Sequence, residues 1–371
     1  MTAYPLEPDL KSKLEHAFDF AGKQLRRLIT THPDAFPIYT RNGKWNLEGE
    51  AWTNWCEGFL GGQLWLLFQH SGDPYWRERA EHYSRLIEPR KTDRTVHDLG
   101  FLFWSTYKRW YDQTGDPRPN EVLIQAGKTM GLRYRPQGAY LRSFLAEDSL
   151  FIDIMMNVGI VFYAAQQSGD AALAEMATRH CLTTRKYLVR GDGSTAHEGI
   201  FNLQTGEFLH QSTQQGWRAD SSWARGLAWA LYGFGTVYLM TGDARFLETA
   251  EFCARYYIEH TPSHGIPPND WDEPHPALPY ESSAAAIAAS GLLNLAQLSP
   301  DPTRAQAYHQ YALTILTTLT SSEFLADQDE GWEGLIKRGM YHQRKGLGVD
   351  ESVMWGDYFF LEACWKVLHA A

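Results

Sequence analysis

Asp153 sits in the run LFIDIMMN, with Phe151, Ile152, Ile154, Met155 and Met156 around it. A carboxyl group in such company has two explanations. It can cap a helix or pair with an arginine. Alternatively, the apolar setting lets it hold a proton near neutral pH and deliver it. His97-Asp98, immediately before LGFLF, leaves the same choice between a helix cap and a second acid. Trp52 and Trp55 precede an apolar run. Ser221, Trp223, Arg225 and Trp229 open another, Ser282-Ser283 a third, and Trp355 with Asp357 a fourth. His197 and Gln215 lie in a long polar stretch between such runs. Two acids, an arginine, histidines and several indoles suit one task. They would hold a carboxylate-bearing sugar by charge and stacking and transfer protons to it. Each residue also has a plain structural use, as a cap, a charge partner or core packing.

Something must bring these residues together. Four segments repeat one plan: an apolar helix, a [Ser/Thr]-Gly-Asp stop, then an amphipathic helix. The stops fall at Ser71-Gly72-Asp73, Thr114-Gly115-Asp116, Ser168-Gly169-Asp170 and Thr241-Gly242-Asp243. A degenerate fifth stop is Ser299-Pro300-Asp301-Pro302. Gly ends the first helix in a left-handed conformation and Asp caps the second. Self-similarity of this kind marks a repeat architecture.

The first helix of each pair is apolar nearly all round, as in Phe59–Phe68, Leu99–Tyr107, Phe151–Ala165, Trp223–Leu239 and Ala284–Leu298. The second is one-sided and charged, as in Tyr75–Ile87 and Phe246–Ile258. Enclosed helices are apolar all round and surface helices carry a charged face. The pairs are therefore inner–outer hairpins. A charged helix at Asp9–Thr30 adds an outer member, and an apolar one from Trp355 adds an inner member. The expected fold is all-α, an (α/α)6 barrel of six hairpins spanning residues 1–371 as one domain. Leu150–Asp170 is expected to be one buried helix, and β structure is expected only in short runs such as Gly199–Phe208. The long connections all lead from an outer to an inner helix, at about 31–53, 133–149, 189–222, 262–279 and 321–354. Long loops in compact domains are usually functional. The candidate residues stand where these loops enter the inner helices, where helix N-termini also favour anions.

Composition narrows the function classes. The net charge of −10 argues against a nucleic-acid partner. Apolar runs are too short to span a bilayer. The N-terminus has neither a basic n-region nor an apolar h-region. Cys56, Cys181, Cys253 and Cys364 are far apart and form no CxxC pair, which suits reduced thiols in the cytoplasm. No HExxH, Cys/His cluster, GxGxxG, GxxxxGK[ST] or GxSxG occurs, so neither a metal nor a cofactor is expected. The chain is expected to act as a monomer or homodimer.

The ordered motifs of this chain resemble those of the unsaturated glucuronyl hydrolases, glycoside hydrolase family 88. They are W-x-x-G-F-x-x-G-x-L-W from Trp55, H-D-x-G-F from His97, I-D-x-M-M-N from Ile152 and R-G-D-x-S-x-x-H from Arg190. Gln215-Gly216, S-x-W-x-R-G-x-A-W from Ser221, S-S-A from Ser282, R-G-x-Y-H from Arg338 and W-G-D-Y from Trp355 follow. The resemblance implies a six-hairpin α/α barrel. It also implies a substrate with a C4=C5 double bond in its non-reducing uronic acid, as a polysaccharide lyase leaves behind. An acid protonates C4, water adds at C5, and the hemiketal opens to expel the aglycone. By position, Asp153 matches the general acid/base and Asp98 its partner. His197, Gln215, Arg225 and Trp229 match substrate-binding positions, Trp55 and Trp355 wall the pocket, and His97 and Ser221 at the inner-helix starts are expected to bind substrate with them. Gln214, Leu227, Glu281 and the Trp217-Arg218 pair depart from the family pattern and bear on the aglycone. Arg218 is either a reader of a sulfate or a surface arginine. The competing readings are an unsaturated rhamnogalacturonyl hydrolase on pectin fragments, a sugar 2-epimerase using His97, His197 or His342, and a non-catalytic carbohydrate-binding protein.

Overall fold

The computed structural model describes residues 6–48, 54–274 and 279–370. Trp52 lies outside the described residues. Outer helices are α1 (Pro8–Thr31), α3 (Pro74–Ile87), α6 (Pro117–Gly131), α9 (Ala171–Tyr187), α11 (Ala244–His260) and α13 (Pro302–Leu319). Inner helices are α2 (Glu57–Ser71), α10 (Ala224–Thr241), α12 (Ser282–Leu298) and α14 (Met354–Leu368). Two further inner members are broken. One is α4 (Leu99–Phe103) joined to α5 (Arg109–Thr114) through a wide π-type turn, and the other is α7 (Ile154–Asn157) followed by α8 (Gly159–Ser168). The inner helices pack in a closed ring, α2 on α4, α4 on α7 and α8, these on α10, then α12, α14 and back to α2. The outer helices cover that ring, which is the α/α barrel.

The repeated stops explain the tight turns. Gly72, Gly115, Gly169 and Gly242 all end inner helices in the left-handed conformation. Asp73, Asp116, Asp170, Asp243 and Asp301 each accept a hydrogen bond from a backbone N–H in the first turn of the next helix. Those N–H groups would otherwise lack partners.

At the turn end of the barrel, Glu362 of α14 ties four inner helices together. It accepts from Arg109 of α5 at 2.7 Å, Tyr232 of α10 at 2.9 Å and Ser290 of α12 at 2.5 Å. At the loop end, two glycines set the spacing around α7. A Cβ on Gly100 would lie 2.5 Å from the Asn157 Cα, and one on Gly233 would lie 2.5 Å from the Met155 carbonyl oxygen. Only a hydrogen at these places lets α4 and α10 approach α7 so closely.

The segment Leu150–Asp170 differs from the single helix expected. Ser149–Phe151 is a strand, residues 152–153 turn a corner, and the helix breaks at Val158. The strand forms because its partners come from a distant loop. Ser149, Leu150 and Phe151 pair with Ile200, Gly199 and Glu198. The short strands expected, such as the run at Gly199–Phe208, are joined by others in the remaining long loops. In order they are β1 (Thr40–Arg41), β2 (Lys44–Trp45), β3 (Tyr134–Arg135), β4 (Tyr140–Leu141), β5 (Ser149–Phe151), β6 (Glu198–Phe201), β7 (Phe208–Ser212), β8 (Gly339–His342) and β9 (Leu347–Glu351). They make four small antiparallel sheets, β1-β2, β3-β4, β5-β6-β7 and β8-β9, within the long loops. Strands of two to five residues are too short to show an alternating pattern.

Candidate active site

A cavity of about 180 Å³ opens at the loop end of the barrel. Trp55, Phe101 and Trp229 form its apolar wall, with Phe151, Trp223 and Tyr341. Asp98, Asp153, His97, Gln215 and Arg225 put polar atoms into it, and His342 and Lys345 join them from the β8–β9 hairpin.

The two acids precede neighbouring inner helices, Asp98 before α4 and Asp153 before α7. Neither carboxylate caps its helix. The close approach at Gly100 brings the two helix starts together, and Asn157 fixes their offset. Its Oδ1 accepts from the Phe101 N–H at 2.8 Å and its Nδ2 donates to the Asp153 carbonyl at 3.1 Å. Burial pushes the Asp98 carboxyl up to about 8, and the charge of Asp153 adds to the shift. His97 Nδ1 accepts from the Phe144 N–H at 2.9 Å, so its other nitrogen faces Asp98 at 3.2 Å as a donor. Burial, and then the charge of Arg133, push His97 down to about 3, so the ring is neutral at physiological pH. Asp153 Oδ1 is buried without a hydrogen-bond partner.

Arg225 is buried in the cavity wall between the rings of Trp223 and Trp355, 4.5 and 4.9 Å from their centroids. Its guanidinium already donates to the carbonyls of Met340 and Tyr341 and to Gln215 Oε1. Glu281, fully buried, stands 3.7 Å away. Burial lowers the arginine and raises the glutamate, and their mutual charge opposes both shifts. Arg225 therefore ties the β8 strand and the Gln215 loop to α10 while offering one positive charge to the cavity.

Of the residues singled out from sequence, Trp55, His97, Asp98, Asp153, Gln215, Arg225 and Trp229 line this cavity. His197, Ser221 and Trp355 stand outside its lining. Ser221 Oγ donates to Asp270 Oδ2 at 2.6 Å and accepts from the Arg218 N–H, so its hydroxyl serves a loop turn. Trp355 Nε1 donates to Ser283 Oγ at 2.9 Å, and its ring backs Trp55 at 4.7 Å. Asp357 accepts from the Leu335 and Ile336 N–H groups and anchors a loop. Arg218 pairs with exposed Asp220. Phe144, Leu145, Tyr341 and Lys345 also line the cavity but were not singled out. Tyr341 falls inside the R-G-x-Y-H motif, and Lys345 is the second of the basic pair Arg344-Lys345 that follows it. Phe144 and Leu145 carry no local signal. A larger groove, about 690 Å³, runs on the outer surface past Arg185, Glu248, Glu251 and Arg304. Two of its arginines are paired, Arg185 with Glu248 and Arg304 with Glu251, and neither Asp98 nor Asp153 lines it.

Residues 26–264 match the model of Glycosyl Hydrolase Family 88. The unsaturated glucuronyl hydrolase of Bacillus sp. strain GL1 is 33% identical over 325 residues, which cover 84% of this chain and 85% of that protein. The crystal structure of unsaturated glucuronyl hydrolase from Bacillus sp. GL1, described as responsible for glycosaminoglycan degradation, superposes with a TM-score of 0.91 at 30% identity. That match covers 96% of this chain and 97% of the other. An unsaturated glucuronyl hydrolase specific for heparin superposes with a TM-score of 0.90 at 29% identity, covering 97% of each chain.

Proposed function

Because this chain belongs to glycoside hydrolase family 88, we propose that it releases the 4,5-unsaturated uronic acid from the non-reducing end of glycosaminoglycan fragments made by lyases. The chain is a glycosidase. The relatives favour the glucuronyl substrate over the pectin-derived one and over epimerisation. In this reading the Asp98–Asp153 pair enters the reaction holding a proton, kept there by the burial of Asp98. Asp153 delivers a proton to C4 of the vinyl ether, and the developing charge at C5 is shared with the ring oxygen. Water then adds at C5, losing its proton to Asp153, which returns the acid to its starting state. The hemiketal at C5 opens and expels the aglycone. C1 is never attacked, so the carboxyl separation that sorts retaining from inverting glycosidases has no bearing here. Trp55 and Trp229 offer aromatic faces to the flat unsaturated ring, and Arg225 offers charge to its carboxylate.

The observation that carries this reading is the pair of carboxyl groups in one aromatic-walled cavity. A cytoplasmic location belongs to the same reading and is supported by four buried cysteines, each a free thiol. Among the described residues, no helix is long and apolar enough to cross a membrane. The decisive assay follows the near-ultraviolet absorbance of the double bond in unsaturated chondroitin, heparin and hyaluronan disaccharides. Loss of absorbance with release of the second sugar is expected. Binding with the double bond intact would refute the reading.

A further inference from the structure

The cavity of about 180 Å³ is smaller than the roughly 300–1,000 Å³ of sites that enclose a drug-sized ligand. It accommodates a single sugar ring, so the sugar on the leaving side must rest on the rim. Two segments meet on that rim. Residues 213–217 supply Gln214 and Gln215 to the cavity, and the turn between β8 and β9 supplies Lys345. Trp217 stands at their junction. Its N–H donates to Asp270 Oδ2 at 2.8 Å, and its carbonyl accepts from Arg344. Gly216 before it is closely packed, since a Cβ there would meet Thr213 Oγ1 at 2.8 Å. The backbone carrying the indole is therefore clamped on both sides, while the residue as a whole is 37% exposed. An indole carried on a clamped backbone and left open to water suits recognition, because it offers a large apolar face.

We propose that Trp217 is the stacking surface for the sugar on the leaving side of the scissile bond, and so selects among aglycones. This rests on the unsaturated-uronate reading above. The side chain lies outside the cavity lining, so the proton transfers do not need it.

The test compares the wild type, Trp217→Ala and Trp217→Phe on two substrates. One is an unsaturated chondroitin disaccharide. The other is the methyl glycoside of the same unsaturated uronic acid, which has no second ring. Trp217→Ala should raise KM for the disaccharide about three- to tenfold, the range of one aromatic pair. It should leave the methyl glycoside unchanged, and Trp217→Phe should restore most of the loss. An equal change on both substrates, or no change on the disaccharide, overturns the stacking role while the unsaturated-uronate reading stands. A wild type that leaves both double bonds intact defeats that reading, and this proposal with it.

Discussion

His197 Nε2 stands 3.8 Å from the Asp153 carboxylate, and its Nδ1 accepts from the N–H groups of Gln214 at 3.2 Å and Gln215 at 3.3 Å. A neutral imidazole that accepts at Nδ1 carries its hydrogen on Nε2. The side facing Asp153 is thus a donor, as His97 is toward Asp98. In both cases backbone amides of the long loops select the tautomer. Each acid thus faces a ring N–H, at 3.2 Å for Asp98 and at 3.8 Å, beyond hydrogen-bond reach, for Asp153.

Asp153→Asn should reduce turnover by at least about 10²–10⁴-fold, the usual contribution of a positioned acid–base group. Its melting temperature should match that of the wild type, because Oδ1 has no hydrogen bond to lose. Absorbance kinetics with a thermal melt check both halves. Turnover at the wild-type rate would remove Asp153 from the mechanism.

Asp98→Asn makes a prediction about stability and pH. Its folded value of about 8 lies above the ordinary 3.8, so the folded state binds a proton that the unfolded chain releases. The contribution of Asp98 to stability is complete below 3.8 and is lost as pH rises to about 8. Asp98→Asn removes that loss. The variant should melt above the wild type at pH 8, and the difference should shrink toward pH 4. A wild-type advantage at pH 8 would contradict the assignment.

Arg225→Met leaves Glu281 buried without its charge partner, at a cost of about 3–5 kcal/mol. Arg225→Lys keeps the charge but cannot span the Met340 and Tyr341 carbonyls together with Gln215. Both variants should unfold at lower urea concentration, and Arg225→Met combined with Glu281→Gln should recover part of the loss. Wild-type stability in Arg225→Met would mean that the buried pair contributes nothing.

Glu362 behaves oppositely to Asp98. Burial alone would raise its carboxyl, but Lys366 and Arg109, with hydrogen bonds from Ser290 and Tyr232, bring it down to about 2. Its stabilising effect is present above 4.5 and is lost as pH falls toward about 2. Glu362→Gln should therefore destabilise the protein at neutral pH, and the gap from wild type should close in acid. Melting curves across that range measure it, and a constant gap would rule out this linkage.

The barrel was legible because its signals are local. A Gly and an Asp in succession end one helix and begin the next, and the apolar or charged surround of a helix tells whether it is inner or outer. Membership of the candidate cavity was legible where residues stand at inner-helix starts, as Asp98 and Arg225 do. Where a partner is distant in sequence, that reading stopped. The strand at Ser149–Phe151 depends on Glu198–Ile200, so its own apolar run looks helical. Ser221 looks like a helix-start residue, yet its hydroxyl is used by Asp270, which is 49 positions away. Lys345 reaches the cavity only because the β8–β9 hairpin folds back over the barrel mouth.

Asp153 occupies the corner where the last residue of β5 gives way to α7, so the carboxyl proposed to carry the proton is mounted partly on a three-stranded sheet formed by the loops. β5 and most of β6 are buried and only β7 is open to solvent, so local opening starts at the outer edge of this sheet. Gentle heating should therefore silence the enzyme while its circular dichroism still reads as native, and the lost activity should return on cooling. The working temperature of this molecule is then governed by its crown of loops and not by the much sturdier drum beneath.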